Sequence, residues 1–591
     1  MMLDATPRED FFGTSGPRDA ELAIVGESWG REEEQRQQPF VGASGAELDR
    51  MLFESGLSLI PTLKTNLFAY RPEGDEAWRL FNPKGKDKNP LLKGLDPSPF
   101  ALNEYHRLFR QLSQMPNLKC VIATGNYALW ALSDSLVSIS GTSMGNGATV
   151  LVPGGITSWR GSMLHWNSPS SRAIPLLPII HPAAILRAWY QRAATIQDLR
   201  RAHQAFSGDW APKTAPQILA PPEFNQAIQK FEEWLALANS GARLRLAHDI
   251  ETKHGLITCM GFATGPYDET GFAMVIPLVR LKPGRQFDSF WTQQQEAHLA
   301  HLIRKILNHP NVHIEGQNYT YDTQYIQRFY GCIPSCSFDT MLAHHLLFPG
   351  TPKSLDYLSS LYCRYHRYWK DDNKDWDLSS DEKQHLVYNG VDVLRTFECA
   401  TRLRTLVAEL KQEEQWEWEK KKADLALRMM FRGVRIDLER RADIGTKLLM
   451  HQLYLRGRLS TLIAPQLVPV MKSPTAKPWY QSTRQQAPII YDVLGLKGQR
   501  NRKTGNITVD DEALGELARL YPELKTFFDL LLESRSIQVF HSTFVKAPLE
   551  PSGRMRCSFN PAGTEPFRWS SSENAFGRGT NLQNVPKGEE D

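Results

Sequence analysis

Five side chains near the middle of the sequence have the types and spacing to hold divalent cations beside a phosphodiester. The run Leu246-Ala247-His248-Asp249-Ile250-Glu251 sets two carboxylates two residues apart. On a strand, residues i and i+2 share a face, so Asp249 and Glu251 project together while Ile250 turns toward the core. Asn318-Tyr319-Thr320-Tyr321-Asp322 adds a third carboxylate just past a polar loop, where a helix is expected to begin. Tyr388-Asn389-Gly390-Val391-Asp392 places a tyrosine and a fourth carboxylate four apart, on one face of a helix. Hard divalent cations take oxygen ligands, and phosphodiester hydrolysis by two of them needs carboxylates that hold the pair about 4 Å apart. A tyrosine beside such a carboxylate can orient the attacking water; with an ordinary pKa of about 10 it acts as a hydrogen-bonding guide rather than as a base. An Asp-x-Glu pair alone is as well explained by a solvated edge strand. Four carboxylates together are not, since a protein has no reason to gather so many like charges without metal.

In this order and over this distance, the three motifs resemble those of the DEDD-type proofreading nucleases, and the Tyr-x-x-x-Asp form marks the tyrosine subclass. Phe338-Asp339-Thr340-Met341-Leu342-Ala343 and Ser354-Leu355-Asp356-Tyr357-Leu358 resemble the family A DNA polymerase version. The resemblance covers roughly Leu244 to Arg404. It implies a ribonuclease H-like fold and an active 3′–5′ exonuclease, with Asp249, Glu251, Asp322 and Asp392 as ligands of two Mg²⁺ or Mn²⁺ ions. It further implies Tyr388 as a catalytic group and Asn318 at the DNA. Asp339 is expected to support the site rather than to bind metal. Leu256, just past the first motif, is expected in the core, the other reading being a wedge between bases at a primer terminus.

The elements that must position these groups follow from the hydrophobic pattern. Arg245 to Glu251 and Ile257 to Ala263 read as an antiparallel pair, followed by helices to about Leu410. Ahead of them, Glu21 to Gly26 and Lys119 to Gly125 read as buried strands and Ala43 to Glu54 as a helix, an alternation that belongs to α/β layer folds. Around Ser207 to Pro222 the pattern dissolves into Gly, Trp, Pro and Ala, which reads as a linker. From Glu413 the chain is charged and helical, Ile507 to Lys546 is helical again, and Ser558 to Asp591 is turn-rich.

In the first segment Gly26-Glu27-Ser28-Trp29-Gly30, Pro39-Phe40-Val41-Gly42, Thr65-Asn66-Leu67-Phe68 and His181-Pro182-Ala183 occur in order. Together they resemble the uracil-DNA glycosylase superfamily, nearest to its family 4 branch, over roughly Glu21 to Arg201. Such enzymes flip a base from the duplex, stack it on an aromatic ring and read its edge. By that resemblance Phe40 would stack, Asn66 would read the base, and Glu27 and His181 would sit at the glycosidic bond. Ser28-Trp29 stands where family 4 has Ala-Pro, and the tryptophan could fill the pocket. Family 4 also carries four cysteines for an iron–sulfur cluster, whereas only Cys120 lies here, so no cluster is expected. A DNA-binding or assembly module is the expectation for this domain.

Arg428 to Asp437 resembles the opening of the family A polymerase region, and Lys503 to Asp510 with Leu532 to Ser536 resembles its thumb. Arg500, Arg502 and Lys503 would supply positive charge to phosphates there. Thr564-Glu565-Pro566-Phe567-Arg568-Trp569-Ser570-Ser571-Ser572 and Asn581-Leu582-Gln583-Asn584-Val585-Pro586 resemble the entry to the palm. This implies that Arg568, Asn581 and Gln583 touch the primer–template duplex. Pro566-Phe567 and Trp569 depart from the usual Thr-Gly and Leu. The two palm aspartates and the fingers helix of that family would lie beyond Asp591, so this stretch alone is not expected to polymerise. Either a second polypeptide carries palm and fingers, or the sequence is a fragment.

The whole is therefore expected to be a multidomain α/β chain. Its parts are an α/β/α glycosylase-like domain (1–206), a linker (207–240), a ribonuclease H-like exonuclease domain (241–410), then a mostly helical thumb and partial palm (411–591). With 591 residues, 41% hydrophobic and 23% charged, it is too long for one core and too ordinary in composition for disorder. The net charge of +4 is only weakly suggestive of nucleic acid. No apolar run is long enough for a membrane span. Seven dispersed cysteines read as reduced thiols in a cytoplasm, a bacterial host's if the source is viral, and bacteriophage polymerases offer the similar domain fusion. The expected partner is DNA, as primer–template and as a single-stranded 3′ end. The alternatives are a non-catalytic DNA-binding replication scaffold and a base-excision uracil-DNA glycosylase.

Overall fold

The computed structural model describes residues 8–81, 95–133, 136–143, 149–168, 172–282, 286–373, 382–462, 478–502 and 505–585. The chain divides into two units, Met1–Lys421 and Lys422–Asp591. The chain is mixed α/β and multidomain, and the described residues of the first unit form a five-stranded sheet, a six-stranded sheet and two small two-stranded ones.

The first sheet is built from Leu22–Ser28 (β1), Thr62–Phe68 (β2), Cys120–Thr124 (β3), Leu164–Asn167 (β4) and Ala173–Ile179 (β5), in the order β2-β1-β3-β5-β4. Four strands are parallel and β4 closes one edge antiparallel to β5. The central strands β1 and β3 are buried on both faces, as parallel strands under helices must be, whereas the edge strand β4 alternates buried and exposed residues. Ala23, Val25, Val121 and Ala123 enter one core with Tyr105, Leu108 and Leu112 of the helix Pro99–Ser113. Leu22, Ile24, Cys120 and Ile122 enter another with Leu48 and Met51 of the helix Ala43–Glu54 (α1). Period-two alternation along each strand thus feeds two helix layers.

The second sheet contains Gln217–Leu219 (β6), Leu244–Lys253 (β7), Leu256–Ala263 (β8), Phe272–Pro277 (β9), Val312–Gly316 (β10) and Cys336–Asp339 (β11), in the order β11-β10-β7-β8-β9-β6. The expected pair β7 and β8 is antiparallel, with Gly261 opposite Asp249 and Cys259 opposite Glu251. The long helix Glu382–Glu409 (α2) lies on this sheet, with Val393 and Leu394 packed among Ala247, Ala263 and Ala273. Two glycines set its distance. A Cβ on Gly261 would come 2.2 Å from Asn389 Oδ1, and one on Gly390 would come 2.6 Å from Ile218 Cγ2.

Two expectations are corrected. Residues 207–240 are not only a linker: β6 pairs with β9, and Phe224–Asn239 is a helix with a capping box at Glu223 that buries Ala227, Phe231, Trp234 and Ala238. The prolines that blur the pattern flank these elements: Pro212 and Pro216 precede β6, and Pro221-Pro222 separate it from the helix. Leu256 is not a core leucine. It opens β8 opposite Lys253 at the hairpin and is 37% exposed, because the chain has not yet entered the layer under α2.

The second unit is largely helical, and its core gathers Leu459, Trp479, Ile489, Leu514, Phe528 and Leu531. A short hairpin pairs Cys557–Asn560 with Ser570–Glu573. Lys503 and the segment from Pro586 to Asp591 lie outside the described residues. Among the described residues, no helix is long and apolar enough to cross a membrane.

Candidate active site

Strand β7 carries Asp249 and Glu251, and α2 carries Asp392. One carboxylate oxygen from each lies within 4.8 Å of the others. The strand period aims the first two at the helix, and the helix places Tyr388 one turn before Asp392 on the same face. Between them Asn389, also turned to the sheet, donates from Nδ2 to Asp249 Oδ2 at 2.8 Å. Gly261 makes room for that amide.

Asp322 stands beside this trio rather than within it. It lies in the first turn of the helix Tyr319–Tyr330, 4% exposed, and its Oδ1 accepts from the Ile250 N–H at 3.0 Å. That backbone donor sits between the two acids of β7, so Asp322 is tied to the strand that carries them. Asn318 precedes this helix in the left-handed region at φ 55°, and its N–H donates to Asp339 Oδ1. Asp339 also accepts from the backbone of Tyr319, Met341 and Leu342. It therefore pins the loop and caps the next helix, a supporting role, as its position in the sequence suggested.

The electrostatics are strained in one direction. Burial, and then the charge of Asp392, push Asp249 up to about 7. Glu251 is held well above the usual carboxylate range by burial, Asp249 and Asp392. Asp322 is raised by burial and Asp249, with the Ile250 N–H working the other way. Near neutral pH such a cluster takes up either protons or cations. Its donors are all carboxylate oxygens, which suits a hard divalent cation. Burial and the neighbouring Asp392 also raise the Tyr388 phenol, so it stays protonated and can only guide by hydrogen bonding.

Two further groups reach the site from the segment before α2. Trp369 Nε1 donates to Asp392 Oδ1 at 2.6 Å, and Lys370 Nζ donates to both Asp392 oxygens, at 2.7 and 3.0 Å. The same ammonium donates to the Tyr388 hydroxyl at 3.0 Å. Neither residue was singled out from the sequence, since an irregular segment has no period that aims a side chain. Asn389 was equally missed, although its place three residues before Asp392 was a usable signal.

In the first sheet, Glu27, Phe40, Asn66 and His181 all line one cavity of about 410 Å³. Glu27 Oε1 accepts from the Tyr127 N–H at the start of the helix Asn126–Leu132. A Cβ on Gly125 would come 2.5 Å from that oxygen. Phe40 holds a left-handed backbone at φ 57°, a conformation that costs a non-glycine residue and is frequent at ligand sites. Its ring stacks on His181 with centroids 6.4 Å apart. His181 Nδ1 accepts from the Ala183 N–H, which assigns the ring proton of the neutral form to Nε2, and burial lowers its pKa. Asn66 is 4% exposed, and its Oδ1 has no hydrogen-bond partner among the described residues. Trp29 lines the cavity without filling it. A Cβ on Gly13 would touch its Cζ2 at 2.7 Å, so the ring is packed back against Gly13 and Ala69.

In the second unit, Asn581 Oδ1 accepts from Ser571 Oγ and from the Gln583 N–H, while Arg568 and Gln583 are exposed. Asn581 therefore stitches the last turn to the hairpin. Arg500 bonds the Gly505 carbonyl and Arg502 pairs with Glu512.

Fold and site together define a mixed α/β chain with a carboxylate centre suited to divalent metal. Residues 12–204 match the family model of the uracil DNA glycosylase superfamily, and residues 272–408 that of a 3′–5′ exonuclease. The second match takes in Asp322, Tyr388 and Asp392, with Asp249 and Glu251 just ahead of it. DNA polymerase I of Aquifex aeolicus (strain VF5) is 24% identical over 310 residues, 48% of this chain and 48% of that protein. The chain thus spans about half the length of this curated relative. A solved structure, the POL domain of Pol1 from M. smegmatis in complex with DNA primer-template and dNTP, aligns with 18% identity and a TM-score of 0.43. The alignment covers 63% of this chain and 56% of that one. About half of the chain is thus similar to DNA polymerase I. The chain carries a 3′–5′ exonuclease domain of the family A kind, together with a uracil-DNA-glycosylase-like domain.

Proposed function

We propose that this protein is the proofreading part of a family A replicative DNA polymerase, hydrolysing the 3′-terminal phosphodiester of DNA. The observation that carries the reading is the convergence of the half-buried Asp249 and Glu251 with the buried Asp392, and Tyr388 one turn away. Asp249, Glu251, Asp322 and Asp392 would hold two divalent cations, Mg²⁺ or Mn²⁺. When bound, these supply Lewis-acid stabilisation of the phosphoryl oxygens and a nucleophilic water. The chain's own contribution is positional: Asn389 orients Asp249, Asp322 is braced on the Ile250 amide, and the protonated Tyr388 offers a hydrogen bond to the attacking water. In this reading the exonuclease domain is ribonuclease H-like over 241–410. It follows a glycosylase-like domain over 1–206 and precedes a thumb and partial palm over 411–591, where Arg568, Asn581 and Gln583 meet the primer–template and Asn318 meets the 3′ end. Polymerisation needs palm and fingers outside these 591 residues. The setting would be a bacterial cytoplasm, the host's for a bacteriophage enzyme.

The test is digestion of 3′-labelled single-stranded DNA with Mg²⁺ or Mn²⁺. The double variant D249A/E251A should lose several orders of magnitude in rate while still binding DNA; digestion at the wild-type rate would sink the assignment. A second reading, for the N-terminal domain, is favoured by the unpartnered Asn66 oxygen in an open cavity. There the pocket receives a base turned out of the strand. An alkali-labile site formed in uracil-containing DNA would make it a glycosylase, and tighter binding without cleavage would make it a reader.

A further inference from the structure

Lys370 is the only ammonium the described residues place on the acidic cluster, and the way it is held there is unusual. Its side chain is 26% exposed and that of Asp392 is 4% exposed. Burial works against its charge, yet Asp392 and the Tyr388 hydroxyl outweigh it and hold the ammonium well above its ordinary range. With Trp369 on Oδ1 and Lys370 on both oxygens, the Asp392 carboxylate is already engaged on each side. The Lys370 charge works against the rise that burial and Asp392 impose on Asp249 and Glu251.

Lys370 is delivered by a segment anchored in the N-terminal domain as well as on α2. After the helix Leu355–Tyr362, Glu398 of α2 accepts from the Arg364 N–H and Arg395 donates to the Tyr365 carbonyl, but the aromatic side chains of the segment seat in the N-terminal domain. Tyr365 joins the core on one side of the first sheet and Tyr368 the core on the other. Met163 N–H donates to the His366 carbonyl at 2.7 Å, and the Tyr368 N–H donates to Ser162 Oγ at 3.1 Å. Arg201 donates to the Arg364 carbonyl, and Asp209 accepts from both Arg364 and the Tyr365 hydroxyl. Tyr368 stands edge-on to Trp159 at 5.1 Å. The next two residues are Trp369 and Lys370.

We propose that Lys370 is the built-in counter-cation of the nuclease cluster, competing with divalent metal for Asp392, and that the glycosylase-like domain is the element that positions it. The inference rests on the nuclease reading of the site. A metal that takes Asp392 must displace the ammonium from at least one oxygen, and how readily it yields depends on how firmly Tyr365 and Tyr368 are seated.

The experiment is a Mn²⁺ titration of the full chain without DNA, read by the paramagnetic resonance of free Mn²⁺, with far-UV circular dichroism to verify folding. K370M should bind Mn²⁺ tighter by about tenfold, equivalent to about 1.4 kcal/mol. K370Q, which keeps a hydrogen bond and loses the charge, should do the same. A merely structural lysine would give the opposite sign. Y368A, or the milder D209N, should also tighten Mn²⁺ binding, and should add nothing in the K370M background. If D249A abolishes Mn²⁺ binding while K370M and K370Q bind as wild type or weaker, the counter-cation inference is overturned and the nuclease reading stands. If binding survives D249A unchanged, the nuclease reading falls and the inference with it. If Y368A and D209N bind as wild type, or their effects add in full to that of K370M, the N-terminal domain does not position Lys370.

Discussion

The two sites of the first unit sit on comparable parallel or mixed sheets, yet they are unfinished in different ways. The exonuclease cluster is short of positive charge: even with Lys370 on Asp392, burial and mutual repulsion raise Asp249 and Glu251. The N-terminal pocket lacks a hydrogen bond: its walls are an aromatic ring, a histidine and a glutamate already capping a helix, and the Asn66 amide oxygen has no partner among the described residues. The first calls for a cation and the second for a neutral, edge-donating ligand. What a site leaves unsatisfied is the better guide to its ligand than the fold that carries it.

The largest expected effect that tests this contrast is on Tyr388. Y388F keeps the ring and every carboxylate, so metal binding should persist while single-turnover hydrolysis falls by about 10²–10⁴-fold. More metal should rescue D392N partly and Y388F hardly at all. Single-turnover rates within about twofold of wild type would remove the hydroxyl from the site, since an orienting group is worth far more. Next comes N389A, which strips Asp249 of its donor; Mn²⁺ affinity should weaken by about 10–100-fold, the usual cost of a lost partner to a ligand. An unchanged isotherm would show that Asn389 only packs.

On the other side of the comparison, N66A should weaken binding of a uracil-containing oligonucleotide by roughly tenfold, the worth of one buried hydrogen bond. The loss should be the same with and without divalent metal. A loss seen only with metal would break the contrast between the two sites. The smallest effect is on stability. His344, hydrogen-bonded to Tyr362 and Thr351, is lowered by burial to about 4. Its folded pKa lies below the unfolded value near 6.5, so its contribution is intact above pH 6.5 and is lost as pH falls toward 4. By pH 5 that loss is about 2 kcal/mol. Urea unfolding of wild type and H344Q at pH 7 and pH 5 should show a smaller drop in the variant; equal drops would assign the acid sensitivity elsewhere.

Much of the nuclease site was legible because its acids sit on regular elements. Asp249 and Glu251 obey the strand period and Tyr388 and Asp392 the helix period, so the shared face of each pair could be read without coordinates, while the meeting of the pairs was implied only by the family resemblance. Trp369 and Lys370 could not. Their direction comes from Tyr365 and Tyr368 being buried in another domain, which leaves no local trace. The same holds for Trp29, whose size in the sequence suggested a filled pocket but whose ring is drawn back by the absence of a side chain at Gly13. Residues 207–240 misled for the converse reason: their prolines are conspicuous, whereas the pairing of a three-residue strand with a distant partner is not.

That short strand bears on how the chain can be taken apart. Ile218 is the surface against which Gly390 is set, and Gly390 lies between Tyr388 and Asp392 on α2. A protease or a gene dissection that cuts after Leu219 would leave all four acids on the downstream piece but remove the rail along which their helix is aligned. Scission upstream of Gln217 spares it. A cut between the two sheets therefore belongs after Trp210, which is buried in the N-terminal core, and before Gln217, and it leaves Tyr365 and Tyr368 still seated in the N-terminal domain; pieces cut after Leu219 should be intact in their motifs and poorly aligned.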